Sequence, residues 1–493
     1  MMLPKQQKLV LSEFSGIYDS VIKKDHWIRK LHDLLDYRFI YDELRDKYCD
    51  NNGAMAYDPV MLFKLLILKV EYKLSDRDLM EYGETDMAIK YFLDLSPESE
   101  MPHPSLLTKF RKLRLNDEDV LNSLVAKTVK AAQQKGLIHS KTIIVDSTHT
   151  KSIYHPMTPI EILQEESKKL RKAVYSSDET YRGKMPAKPV SNDLDDHIQY
   201  CNELIARIGN DEALQCNHAI KEKINYLTEI MEDDIENKVC LSDEDAKIGH
   251  KTIDTSFFGY KTHLAMSPER IITAAVITTG DKSDSEFTQD LIEQAKENGY
   301  DVDTLIGDGA YSSKQDLTYG KHHHIRMVSK TNSYVYNGNP TANRCKGFTF
   351  NKDAGMYVCT AGHMAIKKVA NGGKRDPEKR KMFTYYFDVN KCKTCPFKDG
   401  CYKDGSKTKS YTYRIPSKIH QEQIEFQNTN EFRELYKQRY KIEAKNNELK
   451  NNHGLKTTYA SGRFGMQLQS IMTIFTVNLN RIITLEQEKM ENK

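Results

Sequence analysis

The chain has 493 residues, 39% hydrophobic and 29% charged, which suits a soluble globular protein of about three domains. Its 73 Lys and Arg stand against 70 Asp and Glu, a formal net charge of +3. That balance argues against an overall polycation, so any nucleic-acid binding must come from local patches. No apolar run approaches about 18 residues, so no membrane span is expected, and Met1 to Lys8 lack the apolar core of a secretory signal. Nine cysteines are too few and too unevenly placed for a disulfide scaffold. We expect a cytoplasmic protein with thiols free or bound to metal.

Residues 1–125 read as helical. Trp27, Ile28, Leu31, Leu34 and Leu35 recur at helical spacing after Asp25, a candidate N-cap. Asp58-Pro59 opens the apolar run Val60 to Val70, and Ser75 with Asp78 forms a capping pair. Pro104-Ser105 opens a segment carrying Lys109, Arg111, Lys112 and Arg114. Short helices ending in a basic one fit a helix-turn-helix-like DNA-binding module, or equally a bundle with a solvated basic face.

The run Lys141 to Asp146 is β-branched and reads as a buried strand ending in Asp146. Residues 155–250 return to helical spacing, with fifteen Asp and Glu against five Lys and Arg over 191–250, a net of −10. This predicts an acidic helical insertion. Phe257 to Leu264 and Ile271 to Thr278 form a hairpin across Ser267-Pro268-Glu269-Arg270. A helix from about Ser285 to Asn298 follows, then a short strand, Thr304 to Asp308, again ending in Asp, and a last strand, Ile325 to Ser329. Residues 335–428 are turn-rich; over 361–420, fifteen Lys and Arg face five Asp and Glu, a net of +10. Helices return at Asn430 to about Asn451 and at Phe464 to Lys489.

Asp146 and Asp308 each end a strand. With a third acid they would hold a pair of hard divalent cations, about 3.5–4 Å apart, able to stabilise the attacking and leaving oxygens of a phosphoryl displacement. The helix Tyr436 to Lys450 offers that acid. At about 100° per residue, Tyr436, Arg439, Glu443 and Lys450 share a face about 60° wide. Glu443 would hold a cation, Arg439 and Lys450 would meet phosphate oxygens, and Tyr436 could stack on a base. A surface helix with i,i+4 ion pairs is the plainer reading. Glu448 lies about 140° from Glu443 and leaves that face.

The spacing Y-x2-R-x3-E-x6-K, met here at Tyr436, Arg439, Glu443 and Lys450, resembles the signature of one branch of the DDE transposases of bacterial insertion sequences. Asp146 in Ile143-Ile144-Val145-Asp146 and Asp308 in Gly307-Asp308-Gly309-Ala310-Tyr311 resemble its first and second acids. The hairpin from Phe258 and the N-terminal helices are also similar to the family. The resemblance implies an α/β fold with an RNase H-like catalytic core, residues 136–335 and 429–493, broken by the acidic helical insertion at 155–250 and a basic Cys-containing insertion at 336–428. An all-α DNA-binding domain, 1–125, precedes it, with Lys109 and Lys112 as candidate DNA contacts. It further implies Asp146, Asp308 and Glu443 as catalytic and metal-binding residues for two Mg²⁺ (or Mn²⁺) ions. Double-stranded DNA (terminal inverted repeats and target) would be the partner, with a homodimer as the active complex and a nucleoid-associated location. A transposase-derived regulator without catalysis and an RNase H-like nuclease are the alternatives.

Some relatives place a Trp wedge in the insertion, but the single Trp here is Trp27; Phe383, Tyr385 or Tyr386 could replace it. Cys392-x2-Cys395-x5-Cys401 with Cys359 could hold a structural Zn²⁺, with His363 or Cys345 as substitutes. His322-His323-His324 reads as a polar turn, and His149, three residues beyond Asp146, could approach the metal site.

Overall fold

A computed structural model of the chain describes residues 2–3, 12–49, 52–211, 214, 216–232, 240, 242–252, 255–332, 347–371, 382–414 and 416–491. The N-terminal part is helical: α1 (Ile17–Val21), α2 (Trp27–Leu34), α3 (Phe39–Glu43), α4 (Pro59–Tyr72), α5 (Asp76–Gly83), α6 (Met87–Phe92), α7 (Ser105–Leu113) and α8 (Glu118–Gln134). His26, one residue beyond the expected Asp25, caps α2, its Nδ1 accepting from Ile28 N at 3.2 Å. Asp58 caps α4, accepting from Val60 N at 2.8 Å, and Pro59 fills the first helical position. α4 is buried almost all round. Even Lys64 lies within it, its charge met by Asp94 at 2.5 Å.

A mixed sheet follows, built from β1 (Thr142–Lys151), β2 (Lys247–Thr252), β3 (Thr255–Met266), β4 (Ile272–Thr279), β5 (Thr304–Ile306) and β6 (Arg326–Val328). β3 is its long central member. One edge pairs antiparallel with β1; the other meets β2 along its first half and β4 along its second. β5 lies parallel to β1, and β6 parallel to β5. The order across the sheet is thus β4–β3–β1–β5–β6.

Between β1 and β2 lie α9 (Pro159–Ser177), α10 (Leu194–Gly209) and α11 (His218–Glu232). A full capping box, Thr158 with Glu161, starts α9. These helices bury their own apolar cluster, including Leu163, Leu170, Leu204 and Leu227, separate from that of the sheet. Ser152 Oγ donates to Asp243 Oδ2 at 2.6 Å, joining the points where the chain leaves and rejoins the sheet.

After β4 and β5 come α12 (Thr288–Glu297) and α13 (Lys314–His322). The turn-rich basic segment contains strands: a β7 (Thr349–Asn351)–β8 (Met356–Val358) hairpin, and a three-stranded sheet of β9 (Lys367–Asn371), β10 (Met382–Phe387) and β11 (Lys409–Arg414), with α14 (Val389–Lys393) between the last two. These strands are short and interleaved with lysines, which hides their alternation. Tyr385 is buried in this small unit, so it cannot serve as a wedge.

The chain closes with α15 (Lys418–Gln427), α16 (Asn430–Lys437), α17 (Tyr440–Asn452) and α18 (Arg463–Glu491). α18 is buried from Met466 to Leu479 and packs on α2, α4, α8, β3 and β4. Phe475 meets Phe63 of α4 edge-on at 5.3 Å. One apolar core therefore runs through the N-terminal helices, the sheet and α18. No helix among the described residues is long and apolar enough to cross a membrane.

Asn478 is the polar node of that core. It is fully buried; its Nδ2 donates to Ile272 O and Thr128 Oγ1, both at 2.9 Å, and its Oδ1 accepts from Ile272 N at 2.9 Å. Asn478→Leu would remove all three bonds and leave the N–H and C=O of Ile272 without this partner. We expect it to cost about 2–4 kcal/mol, read as a lower urea midpoint at unchanged slope. A loss below about 0.5 kcal/mol would show that these bonds do not hold the helix to the sheet.

Candidate active site

β1 and β5 run side by side, with Thr142 opposite Thr304 and Ile144 opposite Ile306. Two residues further on in each chain come Asp146 and Asp308, where β5 has ended. Neighbouring strands are about 4.8 Å apart, so the register brings the two acids together. β1 itself does not end at Asp146, as expected, but continues to Lys151, because its other edge stays paired with β3 as far as Gly259. Asp308 caps a 3₁₀ turn, accepting from Ala310 N at 2.8 Å. A Cβ on the preceding Gly307 would lie 2.7 Å from the Tyr311 ring and 3.0 Å from Val145, so only glycine lets this turn pack on β1.

Burial pushes the Asp146 carboxyl up to about 6, and the nearby Asp308 and Asp284 carboxylates push it the same way. The Arg439 guanidinium and the Ser147 N–H oppose them. Asn446 Nδ2 donates to Asp146 Oδ2 at 3.0 Å, leaving its own buried Oδ1 without a hydrogen-bond partner. The Tyr311 hydroxyl is also buried without one. Burial first, then Asp284, Asp146 and Asp308, raise it well above the ordinary phenol value.

Asp284, Asn446 and Tyr311 were not singled out from the sequence. Asn446 follows Glu443 by three residues and Tyr311 follows Asp308 by three, so helix and turn spacing could have found both. Asp284 sits in the loop after β4, among Asp281 and Glu286, where spacing selects none of them. It pairs with Lys261 at 3.2 Å and faces the buried His263 Nδ1 at 3.6 Å.

The expected single helix over 430–451 is two helices. At Gln438–Arg439 the hydrogen bonds shorten to three-residue steps, Arg439 N to Tyr436 O and Ile442 N to Arg439 O, both 3.2 Å. A uniform 100° step therefore does not run from Tyr436 to Glu443. Tyr436 stays with α16, stacked on Phe432 at 5.4 Å and 13°, with Lys330 Nζ 4.7 Å from its ring centre. Arg439 lies near Asp146 and pairs with Glu443 at 3.1 Å. Glu443 is exposed, and Glu448 is tied to the buried Lys445 at 2.9 Å. Lys450 Nζ lies 3.3 and 3.4 Å from the ring nitrogens of His149. Burial, aided by neighbouring lysines, pushes Lys450 down to about 8 and His149 down to about 4.

Among the described residues, no three His, Cys, Asp or Glu side chains are gathered closely enough to hold a metal ion. Glu443 is engaged by Arg439 instead. The donor set still suits a hard cation: two adjoining carboxylates, one raised partly by its acidic neighbours, beside an unpartnered amide oxygen.

On α7, Leu107 and Phe110 face the core and Lys109 and Lys112 are exposed. Arg111 is bonded to Asp76, and Arg114 to Lys47 O. His322, His323 and His324 are exposed at the end of α13. Every described cysteine is a free thiol. Cys359, Cys392, Cys395 and Cys401 line one small cavity together with His363, while Cys345 lies outside the described residues.

Residues 17–113 match a family model described as Transposase domain (DUF772). Residues 233–479 match the Transposase DDE domain, half of the chain. The chain belongs to the DDE transposase family. No curated protein matches it. The DDE-domain match takes in Asp308 and Glu443; Asp146 lies between the two matched stretches, on β1 ahead of α9, α10 and α11.

The raised Asp146 carboxyl carries a stability consequence. It protonates more readily in the folded chain than at its ordinary value of 3.8. Its favourable contribution is full below about pH 4 and lost as pH rises through about 6. At pH 7, Asp146→Asn should therefore stabilise the metal-free protein, by up to about 3 kcal/mol. A denaturant midpoint at pH 7 that is unchanged or lower would refute the strain assigned to this charge.

Proposed function

We propose that this DDE transposase mobilises an insertion sequence by binding the terminal inverted repeats of its element, cleaving DNA strands there and joining the freed ends to target DNA. The observation that carries this reading is the placing of Asp146 and Asp308 at adjoining strands, with Arg439 near Asp146 and ion-paired to Glu443. The strand order β4–β3–β1–β5–β6, its first three strands antiparallel and its last two parallel to β1, supports an RNase H-like core.

Asp146 and Asp308 would hold divalent Mg²⁺ or Mn²⁺, with Glu443 joining once its pair with Arg439 opens. Two such ions supply charge stabilisation to the attacking and leaving oxygens of phosphodiester displacement. Asn446 orients the Asp146 carboxylate through its amide N–H. Arg439, released from Glu443, would meet a phosphate oxygen on the strand beside the acids. Lys450 is held by the neutral His149 at the same mouth, a second cation for the backbone. Tyr436, stacked and partly exposed, would present its ring edge to the DNA. Lys109 and Lys112 would contact duplex phosphates away from the cleavage point, and the active complex would be a homodimer on DNA in the bacterial nucleoid.

Asp146→Asn, Asp308→Asn and Glu443→Gln should each abolish Mg²⁺-dependent cleavage of a duplex carrying the element ends while leaving DNA binding within about threefold. Normal cleavage by any one of them removes that residue from the site. Lys109→Ala/Lys112→Ala should instead weaken duplex binding and reduce its salt dependence by about two counterions; an unchanged salt slope would place the DNA elsewhere.

A further inference from the structure

The small β unit, residues 347–371 and 382–414, has little to hold it together. Among the described residues its buried apolar side chains are Ala365, Tyr385, Phe387 and Tyr402. No disulfide joins its described cysteines. A unit this size with so small a core ordinarily needs a covalent or metal staple.

Its four described cysteines come from three separate pieces of chain. Cys359 directly follows β8, Cys392 lies on α14 with Cys395 in the turn after it, and Cys401 precedes β11. All four line one cavity of about 30 Å³. The turns carrying them are tight: Cys395 N donates to Cys392 O at 3.3 Å, and Gly362 N to Cys359 O at 2.8 Å. Phe397 N donates to Cys395 Sγ at 3.4 Å. Lys398 and Lys409 line the same cavity and would offset the charge of several thiolates.

We propose that Cys359, Cys392, Cys395 and Cys401 form a structural Zn²⁺ site that ties the β7–β8 hairpin to α14 and β11. No three of these side chains stand at metal-holding distance in this structure, so the ion must draw them inward into its tetrahedron. Each thiol gives up its proton to solvent as its sulfur ligates the metal, with no change of oxidation state. The site is separate from the acids around Asp146 and does not depend on the reaction assigned to them.

The test is the zinc content of the full-length protein, purified under reducing conditions without chelator. We expect about one zinc per chain, released in step with modification of about four thiols by a mercurial reagent. Cys392→Ser/Cys395→Ser should fall below about 0.2 zinc per chain, whereas Cys49→Ser/Cys216→Ser should keep it. If the first variant does not fold, cobalt reconstitution of the unaltered chain decides, a thiolate-to-cobalt charge-transfer band being expected. Less than about 0.2 zinc per chain together with no such band overturns the site. Zinc retained by Cys392→Ser/Cys395→Ser, or a disulfide within the four cysteines in protein purified without reductant, overturns it equally.

Discussion

A helix buried on every side must be covered on every side, and α18, buried from Met466 to Leu479 with its polar side chains among the apolar ones, imposes that condition on the whole molecule. The N-terminal helices supply part of the cover and the sheet the rest, so neither can form its core without the other. Asn478 fixes the axial position of the helix, because its amide fits only where it meets both backbone groups of Ile272 and the hydroxyl of Thr128. The loop before α18 is held as firmly. Thr150 Oγ1 donates to Leu455 O at 2.9 Å, and Gly462 N donates to Asp243 Oδ1 at 2.9 Å. α17 packs against β1, which brings Asn446 against Asp146.

The acids so assembled are in mutual conflict. Asp308 and Asp284 both press on Asp146 and on the Tyr311 hydroxyl, while Arg439 and Lys450 face Asp146 and Lys261 pairs with Asp284. Arg439 therefore serves two acids at once: it pairs with the exposed Glu443 and steadies the half-buried Asp146. An arrangement in which a protein cation stands among carboxylates is one that a divalent ion can replace, since the ion satisfies the acids and frees the guanidinium for an anionic ligand.

The sequence made much of the order of elements legible because helices such as α4, α5, α6, α8 and α9 carry their own caps and β1 and β4 carry β-branched runs. The paired acids were legible for the same reason, since both follow Ile-rich strands. What escaped depends on contacts between distant residues. The strand after Asp146 reads Ser-Thr-His-Thr, polar enough to pass for a loop, yet β3 pairs with it throughout. The break at Gln438–Arg439 has no proline or glycine to announce it. Asp284 gains its significance only from the fold, which returns the loop after β4 to the Asp146–Tyr311 corner. The all-round burial of α4 was visible in its composition, but what covers it was not.

The Ser152–Asp243 bond joins residues ninety-one positions apart and closes the stretch between them at its base. Because the helices inside that stretch possess their own core, they can order independently of the sheet. The entropy of closing the loop then resembles that of a short stiff connection rather than of a long free chain. Pairing β1 with β3, distant in sequence, becomes kinetically closer to forming a hairpin. A helical stretch of this construction leaves the sheet almost as quick to assemble as if β1 ran straight on into β2.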